Sequence, residues 1–400
     1  MTLSQIQKKK TLAVIGLNSG TSADSLDIAL VKISRKNNKR TVSYLDGKTV
    51  RYPKELKKAI LSICDTDIIA LEDIIYLDNS LGQFYGRQAN LFIKQQELKN
   101  ITIDLISSHG QTVRHLPEKI KKWKMLLNGT MQLGSADFIS KMTGKIVIND
   151  FRQGDIAIGN EGAPITTGAL EILLGKKGES RLIVNIGGMS NYFYFPGNYK
   201  NIISAADCGP GNSLSDILSQ KLFGIVFDKN GAIARKGNIS ERLLHLLLSN
   251  DFYKSKNKST GRELFGLKMA DEIVNFSKKI ELSKYDILAT VEELTSRSIV
   301  MKIKHFIKND KKLKKLYLTG GGRNNIFMVD RLKYHLPLLE ILPVDLLGID
   351  GDLIEATSFA VMGEACLRSE TINKKVTSSK NQQYCAILGK ITQPPNKQNL

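Results

Sequence analysis

Residues 11–33 read Thr-Leu-Ala-Val-Ile-Gly-Leu-Asn-Ser-Gly-Thr-Ser-Ala-Asp-Ser-Leu-Asp-Ile-Ala-Leu-Val-Lys-Ile. An apolar run at 12–17 enters a turn of Gly, Ser, Thr and Asp, and a second apolar run at 27–33 leaves it. Short apolar runs bounded by turn residues predict strands. A third strand is predicted at 41–47, after the turn signal Asn37-Asn38. The turn itself, from Gly16 to Asp27, is dense in backbone N–H groups and hydroxyls, which suit phosphate oxygens. Asp24 and Asp27 suit the hydration shell of a magnesium ion. The GxxxxGK[ST] pattern of a P-loop is absent, and an ordinary hairpin turn accounts for this segment taken alone.

Outward from there, helices are predicted near 54–64 and 70–98. In the second of these, Leu71, Ile74, Ile75, Leu77, Leu81 and Phe84 recur at spacings near three and four. A strand is predicted at Ile101–Ser107, a helix near 134–143 and a strand at Lys145–Asn149. The order then restarts. Arg181–Ile186 is a strand ending in Gly187-Gly188, with further strands at Tyr192–Phe195 and Ile202–Ala206. Helices follow near 212–223, 239–249, 268–279 and 286–308. Lys315–Leu318 is a strand ending in Gly320-Gly321-Gly322, followed by helices near 325–336 and 352–368, a polar loop at 369–382 and a terminal strand at 384–391. The expected domains are 1–150 and 151–370, with the terminal strand returning to the first. Two mixed α/β units, each opening on a strand that runs into a Gly/Ser/Thr turn, imply a duplicated fold with a ligand cleft between the halves.

The 400 residues, 42% hydrophobic and 24% charged, exclude wholesale disorder. No apolar run reaches the ~18 residues of a membrane span, and residues 11–17 are too short for a signal peptide, so a cytoplasmic protein is expected. Cys64, Cys208, Cys366 and Cys385 have no CxxC or His spacing, which argues against zinc and disulfides. Fifty-eight Lys and Arg against 39 Asp and Glu give +19. The lysines are spread, without a basic tail or aromatic-interleaved pattern. Neither nucleic acid nor a membrane is therefore expected as a partner.

Further motifs place chemistry. Asn185–Asn191 (NIGGMSN) ends the strand that opens the second unit, and its paired glycines allow close backbone approach to a ligand. Leu318–Asn325 (LTGGGRNN) lets a flat ligand such as adenine lie on the backbone beside a helix N-terminus. In Asp207–Ser213 (DCGPGNS) a Gly-Pro-Gly bend leaves Asp207 at a strand end, where a carboxylate suits a general base. Capping of the next helix by Asn212 or Ser213 is the competing reading. His109, Gln111 and Thr112 belong to a predicted loop rich in donors and acceptors, suited to sugar hydroxyls. Residues 150–164 form a Gly-rich linker in which Arg152 suits either a substrate carboxylate or an interdomain salt bridge. Glu355 opens the last predicted helix, where it suits hydroxyls or the helix dipole.

The ordered set GLNSGTSADSLDIALV, SSHGQTVRH, NDFRQGDIAIGNEGAP, NIGGMSN, DCGPGNSLSD, KSTGRELF, DILATVEELT, LTGGGRNN, GIDGDLIEATSFA and AILGKI spans nearly the whole chain. It resembles the anhydro-N-acetylmuramic acid kinase family. The resemblance implies an α/β fold with duplicated actin/hexokinase-like (ribonuclease H-like) domains, an interdomain active-site cleft, ATP with Mg²⁺, and a homodimer. It also implies a reaction in which water opens 1,6-anhydro-N-acetylmuramic acid and O6 takes the γ-phosphoryl group, in peptidoglycan recycling. Asp207 would be the base. Gly20, Thr21, Ser22, Ala23, Asp24, Ser25, Leu26 and Asp27 would form the phosphate turn. Gly187, Gly188, Gly320, Gly321 and Gly322 would lie by the nucleotide. Thr112 and Glu355 would meet the sugar; Gln111 joins them from the donor-rich segment, and Arg152 or a lysine would substitute where an arginine normally holds the lactyl carboxylate. The chain departs from the usual GLMSGTSLDG at Asn18, Ala23 and Ser25, and from GGQGAP at Asn160 and Glu161. It has Gly154 where many members carry Arg.

Overall fold

The structure is a computed structural model that describes all residues except 1, 21–22, 38, 65, 67, 198–203, 255–263, 373–384 and 396–400. It divides into two compact units. The first contains the described residues up to Leu173 and from Leu353 onward, and the second is Leu174–Asp352.

The first unit is built on one sheet. Its strands are β1 (Thr11–Ser19), β2 (Ser25–Lys36), β3 (Lys39–Arg51), β4 (Leu105–Lys122), β5 (Met125–Leu133) and β6 (Ile146–Asn149). The second sheet comprises β7 (Arg181–Ile186), β8 (Met189–Phe195), β9 (Ser204–Pro210), β10 (Lys315–Thr319) and β11 (Glu340–Pro343). A last strand, β12 (Lys390–Thr392), pairs antiparallel with β6 of the first sheet.

The two sheets share one plan. The first runs β3-β2-β1-β4-β6 and the second β9-β8-β7-β10-β11. In each, three strands form an antiparallel meander and two more add in parallel. Parallel neighbours need crossovers, which helices such as Leu71–Glu97 and Ile326–His335 supply. This is the duplicated actin/hexokinase-like α/β class.

The alternation of β1 explains why it reads as continuously apolar. Ile15 and Leu17 join a core with Leu77, Leu81 and Tyr85. Leu12 and Val14 face the other way, into a core with Phe359, Val361 and Leu367. A strand covered on both faces shows no polar alternation. The helix Ile354–Leu367 covers that second face and is buried at every position except Glu355. It lies so close to β1 that a Cβ on Gly16 would stand 1.8 Å from the Ala356 carbonyl oxygen. Buried Glu364 of that helix accepts from Arg35 Nε at 2.7 Å and Arg40 Nε at 2.9 Å, tying the helix to the β2–β3 hairpin.

Several expectations change. Residues 108–115, read as a loop after the strand ending at Ser107, continue β4. Gly110, at φ +79°, lets the chain continue from its parallel pairing with β1 into the antiparallel hairpin with β5. Residues 151–157 are a helix of the first unit, Phe151–Ala157, not a linker. The first unit also takes the helices Thr167–Leu174 (up to Leu173) and Ile354–Leu367, so the boundaries differ from 1–150 and 151–370. Their apolar faces pack with β1 and β6. β9 runs to Pro210 and places Asp207 inside the strand; the expected start of that strand, 202–203, is outside the described residues.

Candidate active site

In the first unit the β1–β2 turn is held from outside. Ser19 Oγ donates to the Ser25 carbonyl at 3.0 Å and to Gln111 Oε1 at 2.5 Å. Gln111 Nε2 donates to the Gly20 carbonyl at 3.2 Å. Gln111 reaches the turn because β4 lies beside β1, with Ser19 and Gln111 in register. Thr21 and Ser22 are outside the described residues. Ala23 is buried at φ +54°. Asp24 pairs with Lys57, and Asp27 accepts from Thr49 Oγ1 at 2.7 Å. Leu26 is core, with its backbone in the β2–β3 ladder.

Next to this turn, Asn18 Nδ2 donates to Glu355 Oε2 at 2.9 Å. Asn18 is 2% exposed, whereas Glu355 is open to solvent. Arg152 lies close enough to feel the Glu355 charge. Its Nε donates to His109 Nε2 at 2.9 Å and its Nη1 to the Gly162 carbonyl at 3.0 Å. Burial pulls the Arg152 guanidinium down to about 10, against the opposing pull of Glu355 and Asp155. It remains a cation at neutral pH.

An arginine only donates, so His109 accepts at Nε2 and its ring is neutral. Burial and then the Arg152 charge hold His109 well below the usual imidazole range. The ring stacks on Phe359 at 4.4 Å, and its Nδ1 is buried without a hydrogen-bond partner among the described residues. His115 is likewise pushed down to about 4 by burial and then by Arg152. With both imidazoles neutral, Arg152 is the cation here, and the Glu355 and Asp155 carboxylates lie near it. Thr112 Oγ1 accepts from Gln132 Nε2 at 3.2 Å.

Asp155 was not singled out from the sequence. It is buried and accepts from Asn160 Nδ2 and the Gly162 amide, both at 2.9 Å, fixing the loop that in turn holds Arg152. The Gly162 amide is the signal: a buried Asp often satisfies a glycine turn downstream. A Cβ at Gly154 would meet Leu388 Cδ2 at 3.4 Å, so that position faces the C-terminal segment.

In the second unit the β7–β8 turn is Gly187-Gly188. Its carbonyls accept from the amides of Asn212 (2.8 Å), Gly211 (3.0 Å) and Ser213 (3.1 Å). Asn212 Nδ2 donates to the Ile186 carbonyl at 3.2 Å and makes no side-chain cap for its helix. The three-glycine turn packs against the same strand end. Cβ atoms at Gly320 and Gly322 would lie 2.4 Å from Asn185 Oδ1 and 2.2 Å from Ile186 Cγ2. Gly321 is open, its nearest neighbour Asn212 Nδ2 at 3.7 Å. Packing therefore explains the outer glycines, and the middle one leaves bare backbone. Asp207, on β9, stands opposite Asn191 of β8. The Lys302 ammonium, lowered by burial, is near enough to Cys208 and Asp207 for their charges to oppose that shift.

Among the described residues no group of three or more His, Cys, Asp or Glu side chains could hold a metal ion. Magnesium commonly keeps its waters and a substrate's phosphates and takes one or two carboxylates. Asp24 and Asp27 fit that limited role. No helix of the described residues is long and apolar enough to cross a membrane.

A sequence profile described as "Anhydro-N-acetylmuramic acid kinase" matches residues 12–394. The chain is 34% identical over 398 residues to the "Anhydro-N-acetylmuramic acid kinase" of Caldanaerobacter subterraneus subsp. tengcongensis, covering 98% of this chain and 99% of that one. The protein of the same name from Clostridioides difficile is 33% identical over 384 residues, covering 95% and 98%. Among solved structures, the ADPNP-bound activator of 2-hydroxyisocaproyl-CoA dehydratase from Clostridium difficile aligns at TM-score 0.41 and 12% identity over 89% of this chain and 96% of that one. On the near full-length sequence matches, the chain belongs to the anhydro-N-acetylmuramic acid kinase family.

Proposed function

We propose that this chain uses ATP and water to convert 1,6-anhydro-N-acetylmuramic acid into N-acetylmuramic acid 6-phosphate, in the bacterial cytoplasm. The observation that carries the substrate assignment is Arg152, a half-buried cation fixed by neutral His109 and flanked by solvent-open Glu355. That arrangement suits a sugar bearing both a carboxylate and hydroxyls. Arg152 takes the lactyl carboxylate, while Glu355, Thr112 and Gln111 meet the hydroxyl and amide groups. Asn18 orients Glu355 by its hydrogen bond.

Asp207 accepts a proton from water as that water's oxygen bonds to C1. The C1–O6 bond breaks, and O6 is released as the nucleophile for the γ-phosphorus. Phosphoryl transfer asks the protein mainly for positioning and charge stabilisation. The Gly20–Asp27 turn holds phosphates, with Thr21 and Ser22 as its hydroxyl donors. Gly187, Gly188 and the Gly320–Gly322 turn accept the nucleoside. Magnesium, when bound with ATP, supplies charge neutralisation at the phosphates, and Asp24 or Asp27 would contact it through water. A homodimer is the expected assembly, checked by light scattering.

The deciding experiment incubates the protein with ATP and the anhydro sugar in ¹⁸O-water. The expected product is a 6-phosphate labelled at the anomeric oxygen. An unlabelled anomeric oxygen removes the role of water. Phosphorylation of ordinary hexoses alone would favour a kinase of the same fold acting on another sugar.

A further inference from the structure

The lysines that read as scattered in sequence meet an apolar surface at one place. Beyond the pairing with β1, β4 leaves the sheet and forms a two-stranded ribbon with β5. Its tip carries Lys119, Lys121, Lys122 and Lys124 against one acid, Glu118. Trp123, the chain's one tryptophan, sits at the turn and is 75% exposed. Lys122 Nζ lies 4.8 Å from the centre of its ring. Opposite residues of paired strands share a face. Ile120 faces Leu127 and Lys122 faces Met125, while Lys121 faces Leu126 across the other side. Both faces of the tip therefore mix lysine with large apolar side chains, and Ile120, Met125 and Leu126 are all exposed.

The turn is built against local preference. Trp123 and Lys124 have φ +50° and +62°. Two such residues between paired strands form a turn that favours Asn-Gly. A bulky aromatic at positive φ is a strained choice. Asn or Gly would satisfy the backbone better, so the strain is tied to what the side chains present.

We propose that this ribbon tip docks on an anionic lipid surface. Exposed apolar side chains need a medium that accepts hydrocarbon. Indole favours the level of the lipid headgroups, and long lysines can bury their stems there while keeping the ammonium at the phosphates. A lysine cluster with Trp and Leu attracts anionic lipid at short range. A nucleic acid would meet the lysines and leave the aliphatic groups uncovered. A second copy would bring two identical sets of four lysines together. The ribbon also reaches the loop that Asp155 fixes, since Lys119 Nζ donates to the Gly159 carbonyl at 2.8 Å and Asn128 Nδ2 to the Asn160 carbonyl at 2.9 Å. The docking surface is independent of the proposed reaction.

The lone tryptophan makes the test direct. Its emission is recorded on the full chain with vesicles of phosphatidylcholine and phosphatidylglycerol, with phosphatidylcholine alone, and without lipid over a range of protein concentrations. The expected result is a blue shift and protection from acrylamide with anionic vesicles only, reversed by salt. Combining Lys121→Glu, Lys122→Glu and Lys124→Glu should weaken binding by roughly a hundredfold, with turnover in lipid-free solution unchanged. If that variant is inactive because it misfolds, the salt series on the natural chain decides. No shift with anionic vesicles, or an equal shift with neutral ones, overturns the proposal. A shift that follows protein concentration without lipid overturns it in favour of a second copy.

Discussion

The β1–β2 and β7–β8 turns occupy the same position in two sheets of the same strand order, yet they are held by different means. The first is fastened by side chains, with Gln111 of β4 clamping Ser19 and the Gly20 carbonyl. The second is a backbone socket in which Gly187 and Gly188 carbonyls receive three consecutive amides, 211–213. A turn fastened from a neighbouring strand leaves its own side chains replaceable. A turn fastened backbone to backbone does not, because each Cβ enters the contact. The departures from the family's usual turn, at Asn18, Ala23 and Ser25, all fall in the first. One of them, Asn18, donates to Glu355.

The strongest test is Asp207→Asn, which removes a proton acceptor from β9, the strand paired with the backbone-held hairpin, and leaves its shape. Turnover should fall ~10²–10⁴-fold. ATP and sugar affinities, measured by calorimetry, should be nearly unchanged. Near-normal turnover would strip β9 of its chemical role and reduce the comparison to architecture.

The units also differ in how they bury carboxylates. Glu364 of the first is met by Arg35 and Arg40. In the second, Glu293 has Arg331 and His335, but its neighbour Glu292 has both oxygens buried without a hydrogen bond among the described residues. Burial, with Asp228 and Asp216 nearby and Asn325 opposing, pushes Glu292 up to about 8. The folded chain therefore keeps a proton that the unfolded chain sheds near the ordinary value of 4.5. This contribution is full below that lower value and is lost as pH rises toward 8, with a slope approaching ~1.4 kcal/mol per pH unit. Urea unfolding of Glu292→Gln at pH 6 and 8 should lack that slope. An unchanged slope would show that Glu292 is charged in the folded chain.

What the sequence revealed and what it hid divide along similar lines. The helices Leu71–Glu97 and Lys284–Asn309 came within two residues of their limits, because long helices carry a strong 3.6-residue period. β4 was hidden beyond Ser107. Its polar residues Ser108, His109 and Gln111 are buried in the sheet, and no alternation survives to announce a strand. Residues 150–157 looked like a linker for the opposite reason: Gly154 and Gln153 mask a short helix that tertiary contacts at Phe151 and Ile156 secure. The glycine motifs were legible as turns. Only the structure separates Gly320 and Gly322, which packing requires, from Gly321, which faces open space.

A pair of single substitutions tests the contrast at its root. A Cβ at Gly211 would stand 2.2 Å from the Gly187 carbonyl oxygen, backbone against backbone, with nothing flexible to yield. Gly211→Ala should destabilise the chain by about 1–3 kcal/mol and raise the KM for ATP, because the socket must open. Gln111→Ala cuts the equivalent fastening of the first turn, but what it leaves is a Ser19 hydroxyl that still reaches the Ser25 carbonyl and a Gly20 carbonyl that still accepts from the Ala23 amide. The cost should be smaller, about 1 kcal/mol, read as a modest fall in Tm with a raised KM. If Gln111→Ala costs more than Gly211→Ala, the first turn depends on its clamp more rigidly than the second depends on its glycines. The tolerance of the first turn to substitution would then need a cause other than fastening from β4.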